Sequence, residues 1–566
     1  MHPVAVRSTT TEPVTMDMML SWQDEETESH SDIIHRVPDE VLALIMWHYV
    51  YESDIQLRAK APFYWRDPHP SYRTTYISLI CKRWRGIVLS NPCLWSQIHL
   101  AWPKDIIRTH LERSRAAPLS IGINRESIAF GSFHDMKDTL SDMIQRIESI
   151  NVQYYGVADY LWGDGPTKEV VTWIRDILGN GLSIPASNLS FVHVIYPDYV
   201  LPIQHHDLGH LPRLADINFL GLSLKSTLPD PCRLTTVKAH SSDLTLDNIL
   251  SFLRSSPLLE SVEFKHHAAE AYTQCAEEVQ STLNDTISLP HLKSFRLSWA
   301  NTMFMETIVR HCSFPETSAV RLSILRDQET SVIESLPETL RNILPSSTVL
   351  NLSIRRPFVR EAFVLEFQAV DSARYQVDFN EYTLASAQDE DEELSTSFCR
   401  QLRVKEATVL FGELTKLKFP ALIDLTIWAR CLRDVTLICI RKLLRAFDRV
   451  QKIALYTLNA DRFVTALRPT ASYPNPCPSL QSLDIRRCRF KASHVGNILT
   501  ERMEWAEKLQ LLQFTMDGKI WKCKKGQSDT GIVHRLYKVA DRCQPQGGDW
   551  TESSPGSDSS DGWGWD

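Results

Sequence analysis

The chain has 566 residues, enough for more than one domain, with an ordinary 43% apolar and 23% charged residues. A formal charge of −8 argues against a general nucleic-acid binder, which needs a basic face to neutralise phosphates, and leaves room only for a local basic patch. Twelve cysteines without a single Cys-x-x-Cys pair argue against zinc-ribbon and thioredoxin-like sites. They read as reduced, mostly buried thiols of a cytosolic or nuclear protein.

Residues 1–32 read as a disordered tail, acidic at Asp24–Glu28 and without helical or strand periodicity. Met1 to Thr15 lacks the apolar core of a signal peptide. No run of about 18 apolar residues is present to span a membrane, so the chain is expected to be intracellular and soluble.

The next stretch, 33–100, predicts three short helices. Pro38 suits a first helical turn, where its missing N–H costs nothing. Asp39 and Glu40 favour the positive end of the helix dipole. Val41, Leu42, Ile45, Met46 and Tyr49 follow at helical spacing and predict one apolar face. A second helix is predicted over Tyr76–Val88, with Ile77, Ile80, Cys81, Trp84, Ile87 and Val88 inward. Asn91 can cap a third helix that starts at Pro92 and carries Leu94 and Trp95. So small a core buries little surface alone, and a partner covering its remaining apolar face is a physical expectation.

In this order the pieces Val37–Ile45, Ser78–Trp84 and Asn91–Trp95 resemble an F-box. This is the helical module that docks a protein onto a Skp-type adaptor and, through it, a cullin. The resemblance implies adaptor contacts at Pro38, Leu42, Ile45, Leu79, Cys81, Lys82, Trp84, Leu94 and Trp95. The same apolar positions serve equally well as internal core. Tyr51–Pro70 departs from the pattern by lengthening the link between the first two helices, and with Pro62, Pro68 and Pro70 it reads as a surface loop. Residues 101–140 read as a linker.

From 141 to 543 a pattern apolar-x-x-apolar-x-apolar recurs. Clear copies start at Leu214, Leu259, Leu292, Leu422, Val450 and Leu480, and looser ones at Ile147, Leu189, Leu234, Ala319 and Val349. Most starts are 20 to 33 residues apart, with 73 residues between Val349 and Leu422. The fourth residue past each start is Asn151, His193, Asn218, Lys238, Glu263, Arg296, Ser323, Ser353, Thr426, Ala454 or Asp484, none of them large and apolar. That is strand alternation, one face buried and one wet. Helical stretches such as Leu246–Leu253 and Thr436–Phe447 lie between copies. The unit resembles a leucine-rich repeat without its regular Asn, so the expected fold is α/β: a small three-helix F-box followed by a degenerate leucine-rich-repeat-like solenoid. Such a solenoid offers a concave face for an extended protein surface.

Six residues past the last three clear starts lie Trp428, Tyr456 and Arg486, residue types enriched at binding hot spots. They are expected either to stack as a substrate-recruiting patch or to pack under a C-terminal cap, Phe490–Cys523. An acidic run, Asp389–Glu393, reads as a loop insertion, and 544–566 as a disordered acidic tail that ends Gly562-Trp563-Gly564-Trp565-Asp566.

Catalytic and cofactor patterns are absent from the sequence. His206 and His210 have a metal-ligating spacing, but Pro202, Gly209 and Pro212 place them in a loop without a third ligand. Gly179-Asn180-Gly181 is a turn signal without the lysine of a phosphate-binding loop, and no Gly-x-Ser-x-Gly occurs. The resemblance therefore implies a non-enzymatic substrate-choosing subunit of a cullin–RING ubiquitin ligase, without metal or cofactor. Its partners would be the adaptor, a cullin and an unidentified protein substrate.

Overall fold

The computed structural model describes residues 36–545 with interruptions, the longest at 61–70, 154–164, 267–285, 382–407 and 515–539. The tails 1–35 and 546–566 and the acidic run Asp389–Glu393 lie outside the described residues. The chain is mixed α/β and forms two compact units, one up to Ile98 plus Trp102–Ala117, the other His99–Ala101 plus everything from Pro118.

The first unit opens with α1 (Asp39–Lys60), whose first bonds run from the Val41 and Leu42 N–H groups to the Pro38 carbonyl, 3.1 and 3.0 Å. Tyr51–Lys60 continues this helix instead of forming a loop. No proline interrupts the chain before Pro62, so nothing stops helix propagation there. The expected single helix Tyr76–Val88 is two, α2 (Ser71–Ile80) and α3 (Lys82–Ser90). Cys81 is extended between them (φ −158°, ψ 169°), and its sulfur accepts from the Trp84 N–H at 3.4 Å. A side chain that caps the next helix competes with continuing the previous one, and here capping wins. Asn91 caps the turn Pro92–Trp95 as expected, its Oδ1 accepting from the Cys93 N–H at 3.1 Å.

Leu42, Met46, Val50, Ile77, Ile87, Val88, Leu94 and Trp95 form the core of this unit, with Val37, Ala43, Trp47 and Trp84 packed half-buried around it. Two polar groups are satisfied within it: Trp95 Nε1 donates to the Val88 carbonyl at 2.8 Å, and Thr74 Oγ1 to the Leu94 carbonyl at 3.2 Å. Part of the expected linker belongs here. In α4 (Lys104–Arg113), His110 pairs with the Gln97 carbonyl at 3.1 Å and makes edge contacts with Trp95 and Trp102.

The second unit is a long, almost wholly parallel sheet. Its strands are β1 (Leu119–Asn124), β2 (Ile147–Gln153), β3 (Phe191–Ile195), β4 (Asp216–Leu220), β5 (Thr236–Ser241) and β6 (Ser261–His266). They continue with β7 (Ser294–Ala300), β8 (Ala319–Arg326), β9 (Ser347–Ile354), β10 (Glu361–Ala369) and β11 (Arg374–Glu381). The last are β12 (Asp424–Ala429), β13 (Lys452–Tyr456), β14 (Ser482–Ile485), β15 (Leu509–Phe514) and β16 (Ala540–Pro545). Pairing follows chain order from β1 to β8 and from β12 to β16. Between these blocks the order is β8–β11–β10–β9–β12, with β10 antiparallel to both neighbours. These strands occupy part of the long gap after Val349.

Parallel neighbours need crossovers, and helices supply most of them. Leu246–Ser255 and Leu437–Ala446 start at caps, the hydroxyls of Thr245 and Thr436 each accepting a backbone N–H three residues on, both at 3.3 Å. Their apolar faces are buried, and Phe252 meets Phe264 of β6 edge-on. One buried ladder runs in register through the sheet: Ile150, Val192, Ile217, Val237, Val262, Phe295, Val320, Tyr375, Phe367, Leu350, Leu425, Ile453, Leu483 and Leu512.

This ladder corrects two of the expected repeats. Val320 and Leu350 hold the places the pattern gave to Leu322 and Leu352, so these copies start at Thr317 and Ser347 rather than at Ala319 and Val349. Both true starts are polar. A slip of two residues keeps every side chain on the same face of a strand, so the pattern alone could not detect it.

Candidate docking surfaces

The helices of the first unit are apolar on two sides. Leu42, Met46 and Val50 of α1 point into the core, whereas Val41, Leu44, Ile45 and Tyr49 are exposed, Ile45 by 52%. On α2 the same division separates buried Ile77 from exposed Tyr76, Leu79 and Ile80, the last by 60%, and on α3 Leu89 is exposed. The single apolar face expected on α1 is thus split, with Val41, Ile45 and Tyr49 outward. Ile80 and Cys81, expected inward, are exposed as well. Eight large apolar side chains on three adjoining helices make more exposed apolar surface than scattered residues need to explain.

The nine residues singled out as adaptor contacts divide accordingly. Pro38, Ile45, Leu79, Cys81 and Lys82 are exposed and Trp84 is half-buried. Leu42, Leu94 and Trp95 are core. Val41, Leu44, Tyr49, Tyr76, Ile80 and Leu89, which the sequence did not single out, share this exposed apolar face. The signal was present, because a helix apolar around most of its circumference is covered on more than one side.

Charged groups fix the frame beneath this surface. The Arg83 guanidinium of α3 donates twice to Asp39 Oδ1, at 2.8 and 2.6 Å, and also to the Val37 carbonyl, tying α3 to the start of α1. Arg73 lies over the Tyr49 ring at 5.7 Å and donates to the Tyr49 carbonyl, joining α2 to α1.

On the second unit, residues facing away from the buried ladder form a polar row. It runs Asn151, His193, Asn218, Lys238, Glu263, Arg296, Arg321, Gln376, Glu366, Asn351, Thr426, Ala454, Asp484. Arg321 and Asn351 replace the expected Ser323 and Ser353, as the two-residue correction requires. One step further along the strands Trp428 and Tyr456 are in register and stack, centroids 3.8 Å apart and planes at 16°, both half-buried. Arg486, their expected third member, lies outside the described residues.

No family model and no curated protein sequence matches this chain. The surfaces must therefore be read on their own chemistry.

Burial pushes the thiols of Cys312, Cys477 and Cys488 up to about 12, which leaves them protonated and inert. Among the described residues no three His, Cys, Asp or Glu side chains cluster as metal ligands. The His205–His210 segment and Gly179–Gly181 lie outside the described residues. No described helix is long and apolar enough to cross a membrane.

Proposed function

We propose that this chain is an F-box protein, the substrate-recognition subunit of an SCF-type ubiquitin ligase. The first unit would dock a Skp-type adaptor through the exposed face of α1, α2 and α3, and the adaptor would bring a cullin. The second unit would act as a leucine-rich-repeat-like platform that holds a protein substrate. The observation that carries this reading is the exposed apolar face, laid over a separate, fully formed core and including Pro38, Ile45 and Leu79.

The mechanism is proximity. Tethering a substrate to the ligase raises the local concentration of its lysines near a ubiquitin-charged enzyme, and this chain supplies no catalytic residue for the transfer.

Co-expression with a Skp-type adaptor and size-exclusion chromatography test the reading. Wild type is expected to elute as a one-to-one complex. Ile45→Asp/Leu79→Asp places two charges in the apolar face without touching the core, so the variant should keep its circular-dichroism spectrum and lose the adaptor. A well-folded wild type that never binds the adaptor would sink the proposal.

A second reading is an F-box scaffold that binds the adaptor without forming a ligase. It is favoured by one feature, the continuation of α1 to Lys60 and the further ten residues before α2. Co-purification of adaptor without cullin would select it.

A further inference from the structure

The polar row carries its positive charge in one place. Lys238 of β5, Glu263 of β6, Arg296 of β7 and Arg321 of β8 are consecutive in register. One residue pair further along the same face, Lys265 is in register with Ser298 and Ser298 with Ser323. One carboxylate, Glu263, lies between two of these cations. Glu263 is 4.0 Å from Lys238 Nζ and 3.6 Å from Arg296 Nη1. Arg321 is exposed and makes no ion pair among the described residues. The first row has neutral ends, Asn218 before Lys238 and Gln376 after Arg321, beyond which Glu366 is paired with Arg374; in the second row Ser323 is followed by the buried carboxylate of Asp378, which accepts from Gln376 Nε2 at 2.9 Å.

Two features set this stripe apart from a solvated charged surface. Arg296 and Arg321 stand directly opposite each other on neighbouring strands, about 4.8 Å apart at the backbone, an arrangement that costs stability unless an anion lies between them. Next to them the side chains shrink to Ser298 and Ser323, both nearly buried at 4% and 7%, so the floor beside the guanidinium groups is low and polar. In a chain of net charge −8, such a stripe is a local reversal of sign.

We propose that the face of β5–β8 is an anion-binding stripe that takes an extended Asp/Glu-rich segment of the recruited protein, laid across the strands over Arg296 and Arg321. The inference rests on the substrate-platform reading above and gives that platform a chemistry. Three strand spacings cover about 14 Å, which an extended segment of about five residues spans. Each guanidinium presents a fork of donors to a carboxylate, and Lys238 and Lys265 flank the segment on the β5–β6 side. Attraction of this kind sets specificity and encounter rate and weakens with salt.

Fluorescence anisotropy with a labelled peptide of Glu-Ser repeated four times, and a Gln-Ser counterpart, tests this on the full chain. The Glu-Ser peptide should bind and the Gln-Ser peptide should not, with affinity falling steeply between low and moderate salt. Arg296→Glu/Arg321→Glu should raise the Kd at least tenfold, whereas Lys418→Glu, exposed and outside the strands, should change it less than twofold. Equal binding by wild type and the double variant, or no salt-dependent binding by wild type, would overturn the inference. So would binding that emerges only after removal of 546–566, because the acidic tail would then be the occupant. Adaptor co-elution measured on the same samples separates the two levels. A double variant that keeps the adaptor leaves the ligase reading standing whatever the peptide does.

Discussion

Glu306 shows how a single residue fastens neighbouring elements of the sheet unit. It lies on the helix Thr302–His311, and its carboxylate accepts from the Thr339 N–H at 3.0 Å and the Thr339 hydroxyl at 2.8 Å, at the start of the next helix. Burial pushes its carboxyl up, but the Thr339 bonds and Arg310 outweigh burial and hold it below the ordinary value of 4.5. A depressed carboxyl contributes stability that is complete above the unfolded value and is lost as pH falls through the folded one. Glu306→Gln is therefore expected to destabilise the chain by about 1.5–3 kcal/mol at neutral pH, as loss of charged hydrogen bonds does. In urea titrations the gap between variant and wild type should close below about pH 4.5, in the acid window that the lowered carboxyl defines. A pH-independent gap would show that charge is not what Glu306 supplies. Nothing in the sequence marked this residue, because its partner is 33 positions away.

At the scale of the element, the helices of the first unit are each divided between a core and a wet apolar side. The sequence located α1, the Asn91 cap and the Pro92 turn, since caps and helical spacing are local. It missed the break at Cys81 and assigned Ile80 and Cys81 to the inside. Spacing gives the relative angle of side chains on a helix, and only the neighbours decide which angle faces the core. Trp84 and Trp95 provide the test. Trp95→Ala should destabilise α1 and α3 by about 3–5 kcal/mol, because the ring is buried and hydrogen-bonded to Val88. Trp84→Ala, half-buried at the rim of that core, should cost less, about 1–3 kcal/mol. Amide hydrogen exchange across Asp39–Ser90 reads both, and equal costs would place Trp84 inside.

At the scale of the whole molecule, the sheet turns weak local signals into two continuous surfaces, a buried ladder and a polar row. Trp428 and Tyr456 are 28 residues apart in the sequence yet stack because parallel register brings equal positions of β12 and β13 together. If this pair is part of the proposed recruiting patch, Trp428→Ala/Tyr456→Ala/Arg486→Ala should retain the wild-type melting profile and lose partners in a pull-down. A folded variant that keeps every partner would end the patch assignment. The reordered strands β9 to β11 were not legible in the sequence. A strand pattern is the same whether its pairing is parallel or antiparallel and whichever strand lies beside it.

The sequence by itself determined the strand–helix alternation, most of the register, the Asn91 cap and the positions at which aromatic and charged residues of the strands face outward. These follow from periods of 2 and 3.6 residues and from side chains bonding their own backbone, all of them short-range effects. Only the tertiary structure decided which helix faces stay uncovered, where the slipped repeats at Thr317 and Ser347 fall, and that Arg296 and Arg321 stand side by side. Those outcomes depend on contacts between residues distant in the chain, whose partners no local pattern specifies.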